Sequence, residues 1–351
     1  MNPILILKTG ALGDVLRTTA VLPGLRERYP EASIEWLTAP GARPLVAGHR
    51  LVDRVHCWSP GDDELAAELV GRSWGWVISL DDEEPLCALA SRLGGERLTG
   101  AFLDAEGGRA YTDDAASWFD MGLISRLGKE QADRLKVANT RSHPELLCSL
   151  LGVPVGHPEL PLEAGAAARC AAILDPQSLG RRARWIGLNT GAGGRWPSKQ
   201  LSVERTLELA TELEAARPGE LGFVLLGGPE ERERNRELLA ALVDGGCAVL
   251  DAGTDNGLLE FAALVDGLDL LVTSDSLALH VAIARRIPVV AFFAPTSAAE
   301  IELYGRGESV RSMAPDYCSY RPDADSSTLT AERLVSAVLR VLDSTDAHRR
   351  R

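Results

Sequence analysis

The 351-residue sequence lacks the marks of several protein classes. Its six cysteines are scattered without any Cys-x-x-Cys pair, so we expect reduced, mostly buried thiols and neither a zinc site nor a disulfide framework. No apolar run is long enough to span a bilayer. The start of the chain has no basic segment followed by an apolar one and a cleavage site, so we expect a cytoplasmic protein without a transmembrane segment, with room for a peripheral role at the inner face of a membrane.

The sequence also lacks an excess of positive charge. Its formal net charge is −13, which argues against nucleic acid or an anionic membrane as the main partner, because a polyphosphate backbone requires a basic face. A local pocket for one phosphate group remains compatible with this charge. The hydrophobic content of 45% and charged content of 25% are typical of a globular protein, and the length favours two domains of roughly 150 residues each.

Strands and helices alternate along the first half of the chain. The apolar run at 4–7 predicts a strand that passes through a glycine-containing turn into a helix. The stretch 98–120 is rich in Gly, Asp and Ala without a clear period, and we expect irregular structure there. The remaining pattern predicts strands at 33–38, 52–58 and 76–80, and helices at 64–70, 130–136 and 144–151.

A second strand–helix series follows a Pro- and Gly-rich stretch after residue 152, where we expect the domain boundary. The alternation predicts an α/β protein of two Rossmann-like halves with parallel sheets, facing each other across a cleft. Residues 289–293 form the last clear strand, and we expect a frayed polar tail from residue 344. The other elements expected here are strands at 185–189, 223–226, 248–251 and 268–273, and helices at 202–217, 232–243, 258–265, 280–286 and 331–342.

Asp14 lies in the turn between the first strand and the first helix. Such a turn places backbone N–H groups at the carboxyl edge of a sheet, where open α/β proteins bind ligands. The Asp14 carboxylate could accept a proton from a substrate, or it could cap its own helix. Taken alone, the turn favours the cap, because aspartate is a preferred N-cap residue.

Three turns of the second half carry groups suited to a nucleotide. Glycines and a lysine follow the strand at 185–189 and suit an anion, an acidic residue that could hold ribose hydroxyls follows 223–226, and hydroxyls with a carboxylate follow 268–273. Each has a structural alternative: a common glycine turn, favourable helix-end charges, or a helix cap. The residues concerned are Thr190, Gly191, Gly193, Lys199, Glu231, Asp275, Ser276 and His280.

With these motifs the chain resembles glycosyltransferase family 9, the ADP-heptose:lipopolysaccharide heptosyltransferases and their relatives. The resemblance runs nearly end to end and is carried by four ordered motifs at matching spacings. They are KTGALGDVL at 8–16, GAGGRWPSK at 191–199, LLGGPEE at 225–231, and DSLALH at 275–280, the last followed by PVVA at 288–291 and by Pro295-Thr296.

The resemblance implies a GT-B fold and an inverting transferase that needs neither metal ion nor cofactor. It implies an acceptor-binding domain at 1–165, a nucleotide-sugar-binding domain at 166–330, and a C-terminal helix and tail at 331–351. By position Asp14 would be the general base, Lys199 the donor-phosphate ligand and Glu231 the ribose contact. Asp275, Ser276 and His280 would line the donor pyrophosphate and sugar. The acceptor-side residues would be Thr9, Gly10, Gly13 and Asp81.

This sequence departs from the family pattern in three places. Leu277 stands where many members have a glycine near the pyrophosphate, and Trp196 precedes Lys199 instead of following it, which leaves Arg195 as a substitute phosphate ligand. Acids at 62–64 and 81–84 stand where an anionic acceptor calls for basic residues, so we expect a neutral or cationic glycan or small-molecule acceptor. The alternative is that these acids form a solvated face away from the cleft.

We expect an ADP-linked sugar, with heptose the first choice. Two alternatives remain open: a nucleotide-sugar epimerase or hydrolase on the same scaffold, and a non-catalytic family member that only binds a nucleotide sugar.

Overall fold

The computed structural model describes residues 2–174, 182–193 and 196–349. The chain divides into two compact units between Pro161 and Leu162. The sequence placed the domain boundary between residues 165 and 166. Each unit is built on its own six-stranded sheet with helices packed on it.

In the first unit the sheet has the order β3-β2-β1-β4-β5-β6, and all neighbouring strands are parallel except β5 and β6. Its elements are β1 (Ile4–Leu7), α1 (Leu12–Thr18), α2 (Leu22–Arg28), β2 (Ile34–Thr38), β3 (Arg54–Cys57), α3 (Asp63–Val70), β4 (Trp76–Ser79), α4 (Glu84–Arg92), β5 (Leu98–Leu103), β6 (Arg109–Tyr111), α5 (Ala116–Phe119), α6 (Lys129–Ala138) and α7 (His143–Leu151).

The sheet of the second unit is wholly parallel, in the order β12-β11-β10-β7-β8-β9. Its elements are α8 (Ala164–Ile173), β7 (Arg184–Asn189), α9 (Val203–Ala216), β8 (Leu221–Leu225), α10 (Arg232–Asp244), β9 (Val249–Asp251), α11 (Leu258–Asp266), β10 (Leu270–Ser274), α12 (Leu277–Arg285), β11 (Val289–Phe293), β12 (Gly307–Arg311) and α13 (Ala331–Arg349).

The two sheets share one topology. Counted from its own first strand, each has the order 3-2-1-4-5-6, so the chain reverses direction across the sheet between the first and fourth strands. Strand β1 is buried on both faces, which explains why it is an unbroken apolar run, Ile-Leu-Ile-Leu. Open α/β sheets bind ligands beside such a reversal, at the carboxyl ends of the strands. These edges are the β1/β4 edge in the first unit and the β7/β10 edge in the second.

The expectation of irregular structure at 98–120 was wrong. Strand β5 pairs in parallel with β4, and β6 returns antiparallel to β5. The sequence pattern did not indicate β5 because Gly100 interrupts the apolar run. In the structure Gly100 adopts a φ of +111°. A Cβ atom there would lie 1.8 Å from the carbonyl oxygen of Ser79, so the close strand contact requires glycine.

Three further differences lie outside that stretch. Helix α4 and strand β12 were not expected, the latter because its sequence, Gly-Glu-Ser-Val-Arg, is mostly polar at the sheet edge. The tail predicted to fray at residue 344 continues as helix α13 to Arg349. Asp346 explains the longer helix, because its carboxylate accepts hydrogen bonds from Arg184 and Arg217.

The six cysteines are free thiols, five of them buried and Cys57 half-buried. Burial raises the pKa of Cys87 and of Cys148 to about 11, so both thiols stay protonated near neutral pH. Across the described ranges, no helix is both long and apolar enough to cross a membrane.

Candidate active site

At the β1/β4 edge, Asp81 joins the loops that follow the two strands. Its carboxylate forms an ion pair with the ammonium of Lys8, and both side chains are less than a tenth exposed. Asp81 Oδ2 also accepts hydrogen bonds from the backbone N–H of Thr9 (2.5 Å) and of Gly10 (3.3 Å), and from the Thr9 hydroxyl (3.0 Å). Asp81 therefore fixes the turn that leads from β1 into α1.

These contacts correct the role expected of Asp81. As an open acceptor-side carboxylate it would repel anions, but it is 5% exposed and its charge is balanced by Lys8. Thr9 is engaged by the same carboxylate, so it also helps to shape the turn. Gly10 is different, because a Cβ atom there would meet nothing within 4 Å. Packing therefore does not require glycine at that position.

Asp14 lies in the first turn of α1 without capping it. The N-cap residue is Ala11, which has no side-chain cap, and Gly13 precedes Asp14 within the helix. Asp14 Oδ1 lies 2.9 Å from Arg17 Nη2, and the Asp14 side chain is 37% exposed. The cap favoured by the isolated turn is thus not formed. The carboxylate is held by a neighbouring arginine and remains accessible to solvent.

The acidic stretches at 62–64 and 81–84 contain residues with different roles. Asp62 caps helix α3 by accepting a hydrogen bond from the Leu65 N–H (3.1 Å), so it is structural. Glu83 lies just before helix α4, where burial and the charges of Asp81 and Asp82 raise the pKa of its carboxyl group. Negative charge is therefore concentrated directly after β4. Two cations lie close to it, since Lys8 pairs with Asp81 and Arg109 donates to the carbonyl oxygen of Asp82 (2.9 Å).

At the β7/β10 edge a second Lys–Asp pair joins the two loops. Lys199 Nζ donates to the backbone carbonyl of Asp275 (2.7 Å) and to its Oδ2 atom (3.1 Å). Both side chains are less than a fifth exposed. His280 Nε2 lies 3.6 Å from Asp275 Oδ1. The structure therefore brings Lys199 beside Asp275 and His280, which the sequence placed in a different turn, and Lys199 supplies positive charge at the carboxyl edge.

Hydroxyl and amide groups surround the start of α12. Asn189 Nδ2 donates to the hydroxyls of Thr273 (3.1 Å) and Ser276 (3.3 Å), which lie 3.1 Å apart. Ser276 is the N-cap residue by position but makes no side-chain cap. Leu277 is the first residue of α12, so the position without glycine lies at the positive end of this helix. The network orders the loop beside Asp275.

Glu231 connects the loops after β7 and β8. Its Oε1 atom accepts the Gly193 N–H (2.7 Å) and its Oε2 atom accepts the Gly228 N–H (2.8 Å), with the residue 7% exposed. A Cβ atom on Gly191 would lie 2.3 Å from Glu231 Cγ, so this packing requires glycine there. A ribose contact by Glu231 would use an oxygen that already accepts a backbone N–H, which makes the residue first a scaffold of the glycine loop.

Arg234 was missed by the sequence analysis. From helix α10 its Nη2 atom donates to the Thr190 hydroxyl (2.8 Å), the Leu201 carbonyl (2.7 Å) and the Thr206 hydroxyl (3.2 Å). Burial lowers the pKa of its guanidinium group. Nothing marks Arg234 in the sequence, because it stands in a run of alternating acids and arginines. Arg195, the alternative to Lys199, lies outside the described residues.

Tyr320 and Glu300 were also missed. The Tyr320 hydroxyl donates to Glu300 Oε1 (2.8 Å). Burial raises the pKa of Tyr320, and the negative charges of Glu300 and Asp275 raise it further, so the phenol stays protonated beside the Lys199–Asp275 pair. Tyr320 has a φ of 55°, a left-handed conformation uncommon for a bulky residue. Within the described ranges, no group of three or more His, Cys, Asp and Glu residues is arranged to hold a metal ion.

Comparison with known families finds one match that covers just over half of the chain. The family model described as "Glycosyltransferase family 9 (heptosyltransferase)" matches residues 144–327. A protein of Haemophilus influenzae, provisionally named a glycosyltransferase, is 23% identical over 306 residues, which cover 84% of this chain and 82% of the relative. The family resemblance seen in the sequence motifs is therefore confirmed.

Two solved structures show the same fold. A glycosyl transferase family 9 protein from Veillonella parvula superimposes with a TM-score of 0.76 at 18% identity, covering 98% of each chain. The ADP-heptose lps heptosyltransferase II of E. coli superimposes with a TM-score of 0.69 at 20% identity, covering 98% of this chain and 99% of the other. The expected α/β fold of GT-B type, with two parallel-sheet domains, is confirmed.

Proposed function

The chain belongs to glycosyltransferase family 9 and is a glycosyltransferase, and we propose that it transfers a heptose from ADP-heptose to an acceptor hydroxyl. In this proposal the transfer inverts the anomeric centre and uses no metal ion or cofactor. Family membership supports the reaction class, and the name of the similar E. coli enzyme supports the donor. One observation carries the donor side: Lys199 stands at the β7/β10 edge beside the glycine loop and the start of α12.

The second unit holds the donor in this proposal. Lys199 pairs with a phosphate of the diphosphate. The N–H groups at the start of α12 stabilise the negative charge that develops on the leaving group. Arg234 and Glu231 keep the loop containing Thr190, Gly191 and Gly193 in shape. Ser276 and His280 lie beside the same edge and contact the donor pyrophosphate or sugar.

Asp14 acts as the general base on the acceptor. Its partial exposure lets a substrate hydroxyl reach it, and its place at the turn after β1 puts it at the edge where such sheets bind ligands. Pairing with Arg17, whose Nη2 atom lies 2.9 Å from Asp14 Oδ1, holds the carboxylate at this edge. Inversion then follows from a direct displacement, in which the deprotonated oxygen attacks the anomeric carbon while the nucleoside diphosphate departs.

The acceptor is a neutral or cationic glycan or small molecule in this proposal. Among the acids after β4, Asp82, Glu83 and Glu84 support this choice of acceptor. Asp81 does not, because it is paired with Lys8, and Asp62 does not, because it caps a helix. A crevice lined by those acids attracts amino groups and repels phosphates and carboxylates. Faster transfer to an anionic inner-core glycan than to an aminated acceptor would overturn this part. The cytoplasm supplies the nucleotide sugar, and we place the reaction there.

A binding screen followed by product analysis tests the proposal. ADP-, GDP-, UDP- and CDP-sugars are added to the full chain and its melting temperature is measured. A ligand at 100 times its Kd stabilises a protein by about 2.7 kcal/mol, which corresponds to a shift of about 4 °C for a chain of this length. We expect that shift with ADP-heptose and not with the UDP or CDP sugars. The absence of any shift would overturn the donor assignment.

Product analysis separates transfer from its alternatives. With ADP-heptose and an acceptor panel, a transferase releases ADP and forms a glycosylated product only when the acceptor is present. Conversion of the donor without acceptor would identify an epimerase or hydrolase instead. Binding without turnover across the panel would identify a family member that only binds the nucleotide sugar.

A further inference from the structure

The two Lys–Asp pairs occupy equivalent places in the two units. In each, a lysine after the first strand of the sheet pairs with an aspartate after the fourth strand, across the edge where the topology reverses. Lys8 and Asp81 form the pair in the first unit, and Lys199 and Asp275 form it in the second. In each unit, a Lys–Asp ion pair thus joins the two loops at the carboxyl edge of the sheet.

The pairs differ in how exposed they are to solvent. In the first unit the side chains are 8% and 5% exposed, and the carboxylate also accepts two backbone N–H groups. In the second they are 17% and 19% exposed, and Lys199 reaches Asp275 Oδ2 at 3.1 Å. Water and a dissolved anion can reach the second pair more readily, so an incoming phosphate can take the place of its carboxylate.

We propose that the Asp275 carboxylate is an internal counter-anion that holds Lys199 until a nucleoside diphosphate displaces it, and that returns to Lys199 when the product leaves. The inference rests on the proposed function and adds to it a role opposite to a ligand contact. A residue that binds the donor strengthens binding, whereas a carboxylate that competes with phosphate for Lys199 weakens it. The pair therefore limits affinity for the product and favours its release.

The backbone of Asp275 keeps Lys199 in position when the carboxylate is removed. Lys199 Nζ donates to the Asp275 carbonyl oxygen at 2.7 Å, and this contact does not depend on the side chain. The variant Asp275→Asn therefore removes the competing charge while leaving the lysine at the edge and preserving the size of the side chain. His280, 3.6 Å from Asp275 Oδ1, keeps a polar neighbour in that variant.

Calorimetric titration with ADP tests the inference on the full chain. We expect Asp275→Asn to bind ADP about tenfold more tightly than the unaltered protein, in line with the loss of one charge-assisted contact that competes with the ligand. Lys199→Met weakens binding, and in that background Asp275→Asn no longer tightens it. The control variant is Asp343→Asn on helix α13, which also removes one negative charge, here one paired with Arg217. We expect it to leave the ADP affinity unchanged.

Three outcomes would overturn the inference. Weaker or unchanged ADP binding by Asp275→Asn would make Asp275 a ligand contact or a bystander, while leaving the proposed function intact. Tightening that persists in the Lys199→Met background would show general repulsion of the ligand instead of competition for the lysine. If neither the unaltered protein nor Asp275→Asn binds ADP, GDP or UDP, the proposed function fails and the inference fails with it.

Discussion

Asp14 Oδ1 lies 2.9 Å from Arg17 Nη2 within helix α1, and Ala11, not Asp14, is the N-cap residue of that helix. The Arg17 guanidinium therefore orients the Asp14 carboxylate, and the side chain is 37% exposed. Because this carboxylate is partly exposed, the hydroxyl of a substrate can reach an oxygen atom that accepts hydrogen bonds. This geometry is compatible with a base that takes the proton of an acceptor hydroxyl.

Replacing Asp14 with asparagine should abolish the base without disturbing the donor side. We expect Asp14→Asn to lower the transfer rate by about 10²–10⁴, the usual contribution of general base catalysis, while the melting-temperature shift with nucleotide sugar is unchanged. Glu130→Gln is the control, since Glu130 is another first-turn acid of the same unit and is exposed. Transfer at the unaltered rate by Asp14→Asn would show that Asp14 is not the base.

Replacing Glu231 with glutamine should damage the glycine loop. Glutamine has one acceptor oxygen, so its NH₂ group would face either the Gly193 N–H or the Gly228 N–H. We expect a loss of about 1–3 kcal/mol in the free energy of unfolding, measured by urea denaturation, with weaker nucleotide binding. Glu233→Gln, on the exposed start of α10, should leave both unchanged. A fully stable Glu231→Gln with weaker binding would instead indicate direct contact with the ligand.

Breaking the buried pair of the first unit should be costly. Asp81→Asn leaves the Lys8 ammonium buried without its counter-charge, and we expect it to lower the free energy of unfolding by about 3–5 kcal/mol. The double variant Asp81→Asn with Lys8→Met removes both charges and should be less destabilised than the single one. Denaturant titration of these two variants, the single variant Lys8→Met and the unaltered protein gives the coupling free energy. Equal stability of the single and double variants would contradict a charge-compensating pair.

His49 should make the protein less stable in mild acid. Burial lowers its pKa from 6.5 to about 4, and its Nδ1 atom accepts the Leu51 N–H (3.2 Å), so protonation would break that bond. Between these pH values the unfolded chain binds a proton that the folded chain does not. Stability is therefore lost as the pH falls from about 6.5 towards 4, by at most about 1.4 kcal/mol per pH unit of the shift.

The variant His49→Asn isolates this effect. Asparagine can accept the N–H two residues ahead, as Nδ1 of His49 does, but it does not titrate. We expect the free energy of unfolding of the variant to fall less than that of the unaltered protein between pH 7 and pH 4.5, since all other groups titrate alike in both. Parallel pH dependences for the two proteins would show that His49 titrates normally in the folded state.

The alternation of strands and helices and the glycine turns were readable from the sequence because they are local. A strand buried on both faces must be a short apolar run, as in Ile4–Leu7, and a helix needs apolar residues at a helical period. Strand β5 escaped because Gly100 serves a contact with Ser79 that lies 21 positions away in the chain, which no local period can signal. Helix α13 was underestimated because Asp346 gains its partners only from Arg184 and Arg217.

The sequence by itself determined the fold class, the family and the identity of the residues at the strand ends, since each depends on the order and spacing of residue types. Tertiary structure alone decided what each acidic side chain does. Asp14 could have capped its helix but pairs with Arg17. Asp81 forms a buried ion pair with Lys8, and Asp275 forms an ion pair with Lys199. The ionisation of a carboxylate depends on the groups within a few ångströms. Arg17 is only three positions from Asp14, but Lys8 lies 73 positions from Asp81 and Lys199 lies 76 positions from Asp275, so only the folded sheet brings those partners together.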